Sequence, residues 1–225
     1  MNNDMSAAPK LRSTAPERIT IPPVDLDGLL RLPKHASGII VFAHGSGSSR
    51  LSSRNNYVAD RFGERGLATL LFDLLIEEEA RDRANVFDVD LLARRLLHAI
   101  AWLTRRDDLR GLSVGLFGAS TGAAAALVAA SRSDSVHAVV SRGGRPDLAQ
   151  LALHLVKAPT LLIVGGLDID VLALNRSAFA ELGCVKGLQV VPGASHLFEE
   201  PGTLDAVVAL AQGWFEEYLA IDELP

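Results

Sequence analysis

The run VGLFGASTGAAAALVAA, residues 114–130, contains the strongest structural signal in the chain. A short apolar stretch leads through GASTG, residues 118–122, into an alanine-rich helical stretch. A G-x-S-x-G sequence between a strand and a helix is typical of a nucleophile elbow, where the serine is strained and its neighbours must be small. Gly118 and Gly122 meet that requirement. We therefore predict that Ser120 is a nucleophile at a strand end, rather than part of an ordinary glycine-rich turn.

Other short apolar runs recur along the chain, and each ends in a glycine, aspartate or histidine. They are GIIVFAHG, LATLLFD, VHAVVSRGG, TLLIVGGLD and LQVVPGASH. Longer segments with apolar residues at helical spacing alternate with them, at residues 57–65, 89–105, 121–131, 148–155, 172–182 and 204–219. This alternation predicts an α/β protein with a mostly parallel central sheet and helices on both faces.

Length and composition fit one globular domain. The chain has 225 residues, 48% hydrophobic and 22% charged, which is enough for one packed core. Residues 1–17 are predicted to form a flexible N-terminal arm, and residues 18–225 a single α/β-hydrolase domain. Prolines near Asp25 and Gly28 favour an edge hairpin there. Only residues 142–158 separate the strand after the elbow from the next one, so no large cap domain is expected.

Net charge and cysteine content limit the classes of partner and the cellular compartment that we expect for this chain. A net charge of −5 supplies no basic field for nucleic acid or an anionic membrane surface. Cys184 is the single cysteine, so an intramolecular disulfide is impossible, and we expect its side chain to be packed. No apolar run resembles a secretory signal or a membrane span. We expect a cytoplasmic protein without nucleic-acid or membrane partners; monomer and homodimer both stay open.

A serine nucleophile needs a base within hydrogen-bond reach and an acid that orients the base. Downstream of Ser120, LDID and ASHLF each follow a predicted strand and so lie at the same sheet edge. Asp168 and His196 are therefore the predicted acid and base, in the chain order Ser, Asp, His of this elbow type. Asp170 is the alternative acid, although its place before a predicted helix suits an N-cap. Structural roles are expected for His35, His98, His137 and His154.

The transition state also needs donors for its oxyanion. The backbone N–H of Thr121, directly after the nucleophile, is the predicted first donor. The N–H of Ser46, in the glycine-rich segment HGSGSS, is the predicted second. His44 is expected to orient this segment and is a possible substrate contact. A phosphate-binding loop is the weaker interpretation because GxxxxGK[ST] is absent.

Three charged residues near strand ends have two interpretations each. Asp73, which ends LATLLFD, either lines the pocket or caps the following segment. Arg142 and Arg145, in SRGGRPD, either bind an anionic group of the substrate or belong to an exposed loop.

The chain resembles the dienelactone hydrolase-like family of the α/β-hydrolases from about residue 19 to residue 219. The resemblance rests on VFAHGSGSSR, LATLLFDLL, FGASTGAAAAL, VVSRGGRPDLA and GASHLFEEPGTL. These segments are similar to bacterial hydrolases that also occur fused to phosphoribosyltransferase domains; here we expect the hydrolase alone. The resemblance implies a triad of Ser120, Asp168 and His196 without a metal or organic cofactor. Dienelactone hydrolases proper use cysteine where this chain has Ser120.

These observations favour a carboxylic-ester hydrolase that works through an acyl-enzyme. Without a large cap, an open site suits short acyl esters, small lactones or a polyester surface. Thioesterase, peptidase and acyltransferase activities use the same residues and stay open. A non-catalytic ligand-binding module is the alternative from another class.

Overall fold

An eight-stranded sheet forms the centre of the computed structural model, which describes residues 15–219. Its strands are β1 (Glu17–Ile21), β2 (Leu26–Arg31), β3 (Gly38–Ala43), β4 (Leu67–Phe72), β5 (Ser113–Ala119), β6 (Val136–Arg142), β7 (Thr160–Gly165) and β8 (Lys186–Val191). Their spatial order is β1-β2-β4-β3-β5-β6-β7-β8. The pairs β1–β2 and β2–β4 are antiparallel, and every pair from β4 to β8 is parallel. The predicted α/β architecture with a mostly parallel sheet is confirmed.

Helices cover both faces of the sheet. Within residues 15–219 they are α1 (Ser53–Glu64), α2 (Glu77–Ala80), α3 (Arg83–Phe87), α4 (Val89–Leu103), α5 (Thr121–Ser131), α6 (Ile169–Glu181) and α7 (Thr203–Leu219). Strand alternation divides the core between the faces: in β3, Ile39 and Val41 pack with residues of α4 and α5, whereas Ile40 and Phe42 pack with residues of α1 and α7. β3 is therefore buried on both sides, whereas β8, at the edge of the sheet, exposes Gln189 and Val190.

Several boundaries differ from the sequence expectation. α1 begins at Ser53 instead of residue 57 because the Ser52 side chain caps it, accepting the Asn55 N–H at 3.3 Å. Residues 148–155 lie in a 3₁₀ segment, Pro146–Leu155, rather than an α-helix. α6 begins at Ile169, so Asp168 holds the N-cap position and Asp170 lies in the first turn. The expectation that Asp170 caps this helix was wrong.

An antiparallel hairpin forms one edge of the sheet. β1 and β2 form the expected edge hairpin. Only the 3₁₀ segment joins β6 to β7, so no large cap domain stands there. Most of the predicted arm, residues 1–17, lies outside the described residues, and Glu17 belongs to β1. From residue 15 to residue 219, no helix has the length and apolarity needed to cross a membrane.

Candidate active site

Ser120 occupies a sharp turn between β5 and α5. Its backbone has φ 51° and ψ −122°, an unusual conformation for a residue with a side chain. Such conformations cost about 1–3 kcal/mol and persist only where neighbours hold them. The Ser120 N–H donates to the Arg142 carbonyl at 3.3 Å, and the Ser120 carbonyl accepts the Arg145 N–H at 3.1 Å. The loop after β6 thus clamps the elbow on both sides.

Two glycines let the backbones at the elbow approach each other. A Cβ on Gly118 would lie 2.4 Å from the Ala123 Cα, and one on Gly122 would lie 2.2 Å from the Ala43 carbonyl oxygen. Neither distance is compatible with a side chain. The two glycines of the motif are therefore packing requirements of this turn, whatever chemistry the serine performs.

His196 and Asp168 form a direct pair. His196 Nδ1 lies 2.6 Å from Asp168 Oδ2, and the side chain of Asp168 is 14% exposed while that of His196 is 37% exposed. A neutral imidazole that donates its Nδ1 proton to the carboxylate keeps Nε2 as the proton acceptor. Asp170 is exposed, and among the described residues it makes no hydrogen bond to His196. The geometry favours Asp168 over Asp170 as the orienting acid.

Backbone contacts bring the loops that carry these residues together. The Leu167 N–H donates to the Ala194 carbonyl at 2.9 Å. This bond joins the loop after β7 that carries Asp168, the predicted acid loop, to the loop after β8 that carries His196, the predicted base loop. A Cβ on Gly143 would lie 3.1 Å from the His196 carbonyl oxygen and 3.6 Å from its Nδ1. Because Gly143 directly follows Arg142, which bonds Ser120, the base loop sits next to the elbow. The ends of β5, β6, β7 and β8 thus meet at one site.

The base loop is strained and buried at Phe198. This residue has φ 56°, in the left-handed region, and its ring is only 1% exposed. The Ser195 N–H donates to the Glu200 carboxylate at 3.0 Å. Hydrogen bonds from the Ser195 side chain and from its backbone lower the pKa of Glu200. Ring burial and the Ser195–Glu200 bond hold the loop that presents His196.

The glycine-rich loop after β3, residues 44–49, is the predicted oxyanion loop, and it touches Ser120. A Cβ on Gly45 would lie 3.0 Å from the Ser120 Cβ. The first-turn N–H of Thr121 has no acceptor within its helix and is therefore available to a substrate. The Ser46 N–H instead donates to the Thr121 Oγ1 at 2.9 Å. This differs from the expectation of two free amides, because the Thr121 hydroxyl lies where it can accept one of them.

His44 holds the oxyanion loop through both ring nitrogens. Nδ1 lies 3.0 Å from the Gly45 carbonyl oxygen, and Nε2 accepts the Leu74 N–H at 3.2 Å. Burial lowers the pKa of His44, although the Gly45 bond and the charge of Asp73 act in the opposite direction. The ring is therefore neutral near pH 7. With both nitrogens engaged by backbone, it has none left for a hydrogen bond to substrate.

A cavity of about 560 Å³ opens beside the oxyanion loop. Its wall includes Thr121 and Ser46. The apolar part of the wall is formed by the side chains of Leu74, Leu75, Ile76, Ala80, Val86 and Leu92. Asp73 both lines this cavity and forms ion pairs with Arg50, which also contacts Asp27 at 3.0 Å. Arg50 was missed in the sequence, where only its position at the end of HGSGSSR pointed to the site.

Arg142 and Arg145, the two arginines considered as contacts for an anionic substrate group, have different surroundings. Arg145 is half-exposed and forms a two-point ion pair with Asp147, at 2.8 and 2.7 Å, which raises its pKa. Arg142 is buried, and its Nη2 donates to the Asn55 Oδ1 at 3.2 Å. Burial and the nearby charge of Arg54 lower the pKa of Arg142 to about 10. The Arg145 guanidinium is thus committed to its neighbour, whereas that of Arg142 has no carboxylate partner in residues 15–219.

Two further possibilities, a reactive cysteine and a metal site, concern Cys184 and the acidic, histidine and cysteine side chains. Cys184 is partly buried and packs against the core on the α4 and α5 face. In the described part of the chain, no three His, Cys, Asp or Glu side chains are placed to hold a metal ion.

Comparison with known proteins identifies the family. The model of the Dienelactone hydrolase family matches residues 26–214. The chain belongs to the dienelactone hydrolase family. It is also 54% identical to a dienelactone hydrolase of Anabaena variabilis of known structure, with a TM-score of 0.87 over 92% of this chain and all of that one. Family and structure together confirm the α/β-hydrolase fold.

This dienelactone hydrolase-like protein is also similar to two further groups of proteins. Curated proteins from two strains of Mycobacterium tuberculosis, provisionally named phosphoribosyl transferase, are 56% identical over 217 residues, which is 96% of this chain. The chain spans 49% of their length. A lidless serine hydrolase of Xanthomonas campestris, at 21% identity, shares the fold with a TM-score of 0.75 over 94% of this chain and 98% of that one.

Proposed function

We propose that this protein is a serine-dependent hydrolase of carboxylic esters, with Ser120 as nucleophile, His196 as general base and Asp168 as orienting acid. The observation that carries the proposal is the 2.6 Å contact between His196 Nδ1 and Asp168 Oδ2 beside an elbow serine with φ 51°. This combination leaves His196 Nε2 to accept a proton from the serine. Family membership supports a hydrolase in general.

The first half of the reaction forms an acyl-enzyme. Ser120 Oγ attacks the ester carbonyl carbon while its proton passes to His196 Nε2. The carbonyl oxygen becomes an oxyanion next to the Thr121 N–H, at the N-terminus of α5, where backbone donors stabilise negative charge. When the tetrahedral intermediate collapses, the C–O bond to the alcohol breaks and the alcohol takes the proton from His196.

The second half releases the acid. Water attacks the acyl carbon and gives its proton to His196, the bond to Ser120 Oγ breaks, and the serine regains its proton from His196. Asp168 stays ionised throughout and stabilises the imidazolium. After one turnover the enzyme is thus back in its starting form, with the proton again on Ser120.

Substrate size follows from the open site. The cavity of about 560 Å³ has room for a short acyl chain or a small lactone ring, and the absence of a cap between β6 and β7 leaves access to a polymer surface. A long acyl chain would extend past the apolar wall into water. Short esters are therefore the preferred substrates in this proposal, ahead of thioesters and peptides.

Hydrolysis of p-nitrophenyl esters from acetate to palmitate, by wild type and Ser120→Ala in parallel, tests the proposal. We expect turnover of the short esters by wild type, little turnover of the long ones, and none by the variant. Labelling by a fluorophosphonate provides the second readout, since only an activated serine reacts. A wild-type protein that neither cleaves esters nor takes the label would be a binding module instead.

A further inference from the structure

Arg142 is a buried cation that lacks the partner other buried arginines have. Among the described residues three arginines are buried: Arg31 pairs with Asp60 at 2.9 Å, Arg95 pairs with Glu79, and Arg142 is 7% exposed without a carboxylate. Its Nε is enclosed and has no acceptor in residues 15–219. Its charge persists at neutral pH.

An unpaired buried charge costs several kcal/mol, more than one hydrogen bond to a neutral amide recovers. Among the described residues this guanidinium makes one hydrogen bond, from Nη2 to the Asn55 Oδ1, and that is such a neutral contact. A positive charge held in this way is destabilising for the isolated fold, and a bound anion would offset the cost. Arg142 therefore has the properties of a binding residue rather than a stabilising one.

Its position is next to the nucleophile. Arg142 ends β6, and its own carbonyl accepts the Ser120 N–H. Alternation along β6 places its side chain on the same sheet face as Ala138 and Val140, which pack in the core shared with α1 and α7. The bond to Asn55 then brings the guanidinium to the first turn of α1.

The first turn of α1 adds further attraction for an anion. α1 has 12 residues, and the first backbone N–H groups of a helix have no acceptor within it. Ser52 caps the N–H of Asn55, which leaves those of Ser53 and Arg54 without an acceptor inside the helix. The Arg54 side chain lies close enough to lower the pKa of Arg142, although its own charge is paired with Glu199.

The carboxylates nearby are committed elsewhere. Glu199 pairs with Arg54 at 2.6 Å, and Glu200 accepts the Ser195 N–H at 3.0 Å. Asp205 accepts the hydroxyl proton of Tyr57. None of these three makes a hydrogen bond or ion pair with Arg142 in the described structure. The charge of Arg142 is therefore not neutralised by any of these three carboxylates.

We propose that Arg142 and the first turn of α1 form a subsite for an anionic group, a carboxylate or a phosphate, on the ester that Ser120 attacks. The subsite rests on the proposed ester hydrolysis and defines its substrate class as anionic esters. Binding of the anion orients the ester carbonyl relative to Ser120 and His196. Arg145, whose guanidinium is paired with Asp147, takes no part.

Matched esters test the subsite. Mono-p-nitrophenyl glutarate carries a carboxylate on its acyl chain, and p-nitrophenyl valerate is a neutral counterpart of equal length. A second pair, 4-acetoxybenzoate and its methyl ester, carries the charge on the alcohol side. We expect wild type to favour the anionic member of at least one pair, and Arg142→Met to lower that ratio of kcat/KM by about 10- to 100-fold, the value of one charge-assisted hydrogen bond.

Two control variants separate binding from structure. Arg142→Lys should recover part of the preference because it keeps the charge, and Arg145→Met should leave the ratio unchanged. Arg142→Met should also be at least as resistant to thermal unfolding as wild type, since it removes an unpaired buried charge. Equal losses on both esters together with a lower Tm would show that Arg142 is structural and overturn the proposal, as would a wild type without anion preference.

Anion binding without turnover keeps this inference separate from the proposed function. Calorimetric titration of Ser120→Ala with glutarate and with inorganic phosphate measures the subsite directly and distinguishes the two anions. Binding that disappears in the Ser120→Ala/Arg142→Met double variant supports the subsite even if no ester is cleaved. Absence of binding of either anion, in a protein that does cleave esters, refutes the subsite and leaves the hydrolase intact.

Discussion

The Ser46 backbone N–H and the Thr121 side chain share a hydrogen bond of 2.9 Å. It links the loop after β3 to the first turn of α5, so that the two halves of the expected oxyanion hole are fixed to each other. The Thr121 hydroxyl accepts this bond and keeps its own proton free to donate. Thr121 is only 4% exposed, whereas Ser46 lies on the exposed loop, so the bond ties that loop to a buried position.

Thr121→Val removes the hydroxyl and keeps the shape of the side chain. It removes the acceptor of the Ser46 N–H, and because Ser46 is exposed and water can partly replace that acceptor, the change should cost about 0.5–1.5 kcal/mol of unfolding free energy. We also expect kcat for a short ester to fall at least about tenfold, equal to about 1.4 kcal/mol of barrier, because the loop no longer holds its position. Thr121→Ser is the matched control and should restore most of both. An unchanged kcat in Thr121→Val would show that the hydroxyl is dispensable.

Asp168→Asn tests the assignment of the acid. An amide in place of the carboxylate no longer fixes the tautomer of His196 and no longer stabilises its cation, and such a change lowers kcat by about 10⁴-fold in a serine protease. We expect a fall of about 10³ to 10⁴-fold here, with KM little changed, in steady-state kinetics on a p-nitrophenyl ester. Asp170→Asn, on the exposed side of the same helix turn, should stay within about threefold. The opposite ranking would move the acid to Asp170.

Gly122→Ala should be strongly destabilising, since its new Cβ would meet two backbone carbonyl oxygens, of Ala43 at 2.2 Å and His44 at 2.4 Å. Backbone cannot move aside as a side chain can, so we expect a loss of at least about 2 kcal/mol. Gly213→Ala is the control: it lies in α7 with nothing within 4 Å of the new Cβ. That change should add about 0.5–1 kcal/mol. Chemical denaturation of both variants measures the difference.

Much of the fold and the outline of the site were predictable from sequence. The apolar runs that end in glycine, aspartate or histidine indicated the parallel strands because a buried strand needs a continuous apolar stretch. The elbow and the order of Ser120, Asp168 and His196 followed from motif and strand position. These features depend on local sequence, which is why they could be read from it.

The side-chain partners could not be predicted in the same way. The bond between Ser46 and Thr121 spans 75 residues, and the contact of Arg142 with Asn55 spans 87. Both depend on how the helices rotate onto the sheet. The start of α6 at Ile169 was also missed, because a helix can begin without a capping side chain where tertiary contacts hold it. Sequence spacing therefore predicted where a candidate site lies but left its hydrogen-bond network undetermined.

Mild acid should destabilise the folded protein through His44. Burial lowers the pKa of His44 below its ordinary 6.5, so the folded protein disfavours the protonated ring. As pH falls through 6.5 the unfolded chain takes up this proton before the folded chain does, and stability is lost by at most about 1.4 kcal/mol per pH unit for one group. Below the folded pKa the loss stops growing. The protonated ring would also no longer accept the Leu74 N–H, which loosens the oxyanion loop.

His44→Gln provides the comparison because glutamine is neutral at every pH. Denaturant unfolding of both proteins from pH 8 to pH 5 should show wild type the more stable at pH 8, with its advantage shrinking steadily below about pH 6.5. Carboxylates that protonate over the same range affect both proteins and cancel in the difference. A gap that stays constant with pH would mean that His44 does not titrate differently in the folded and unfolded chain. A gap that widens toward acid would mean that the folded state stabilises the imidazolium, and that the neutral ring holding Gly45 and Leu74 is the wrong description of this loop.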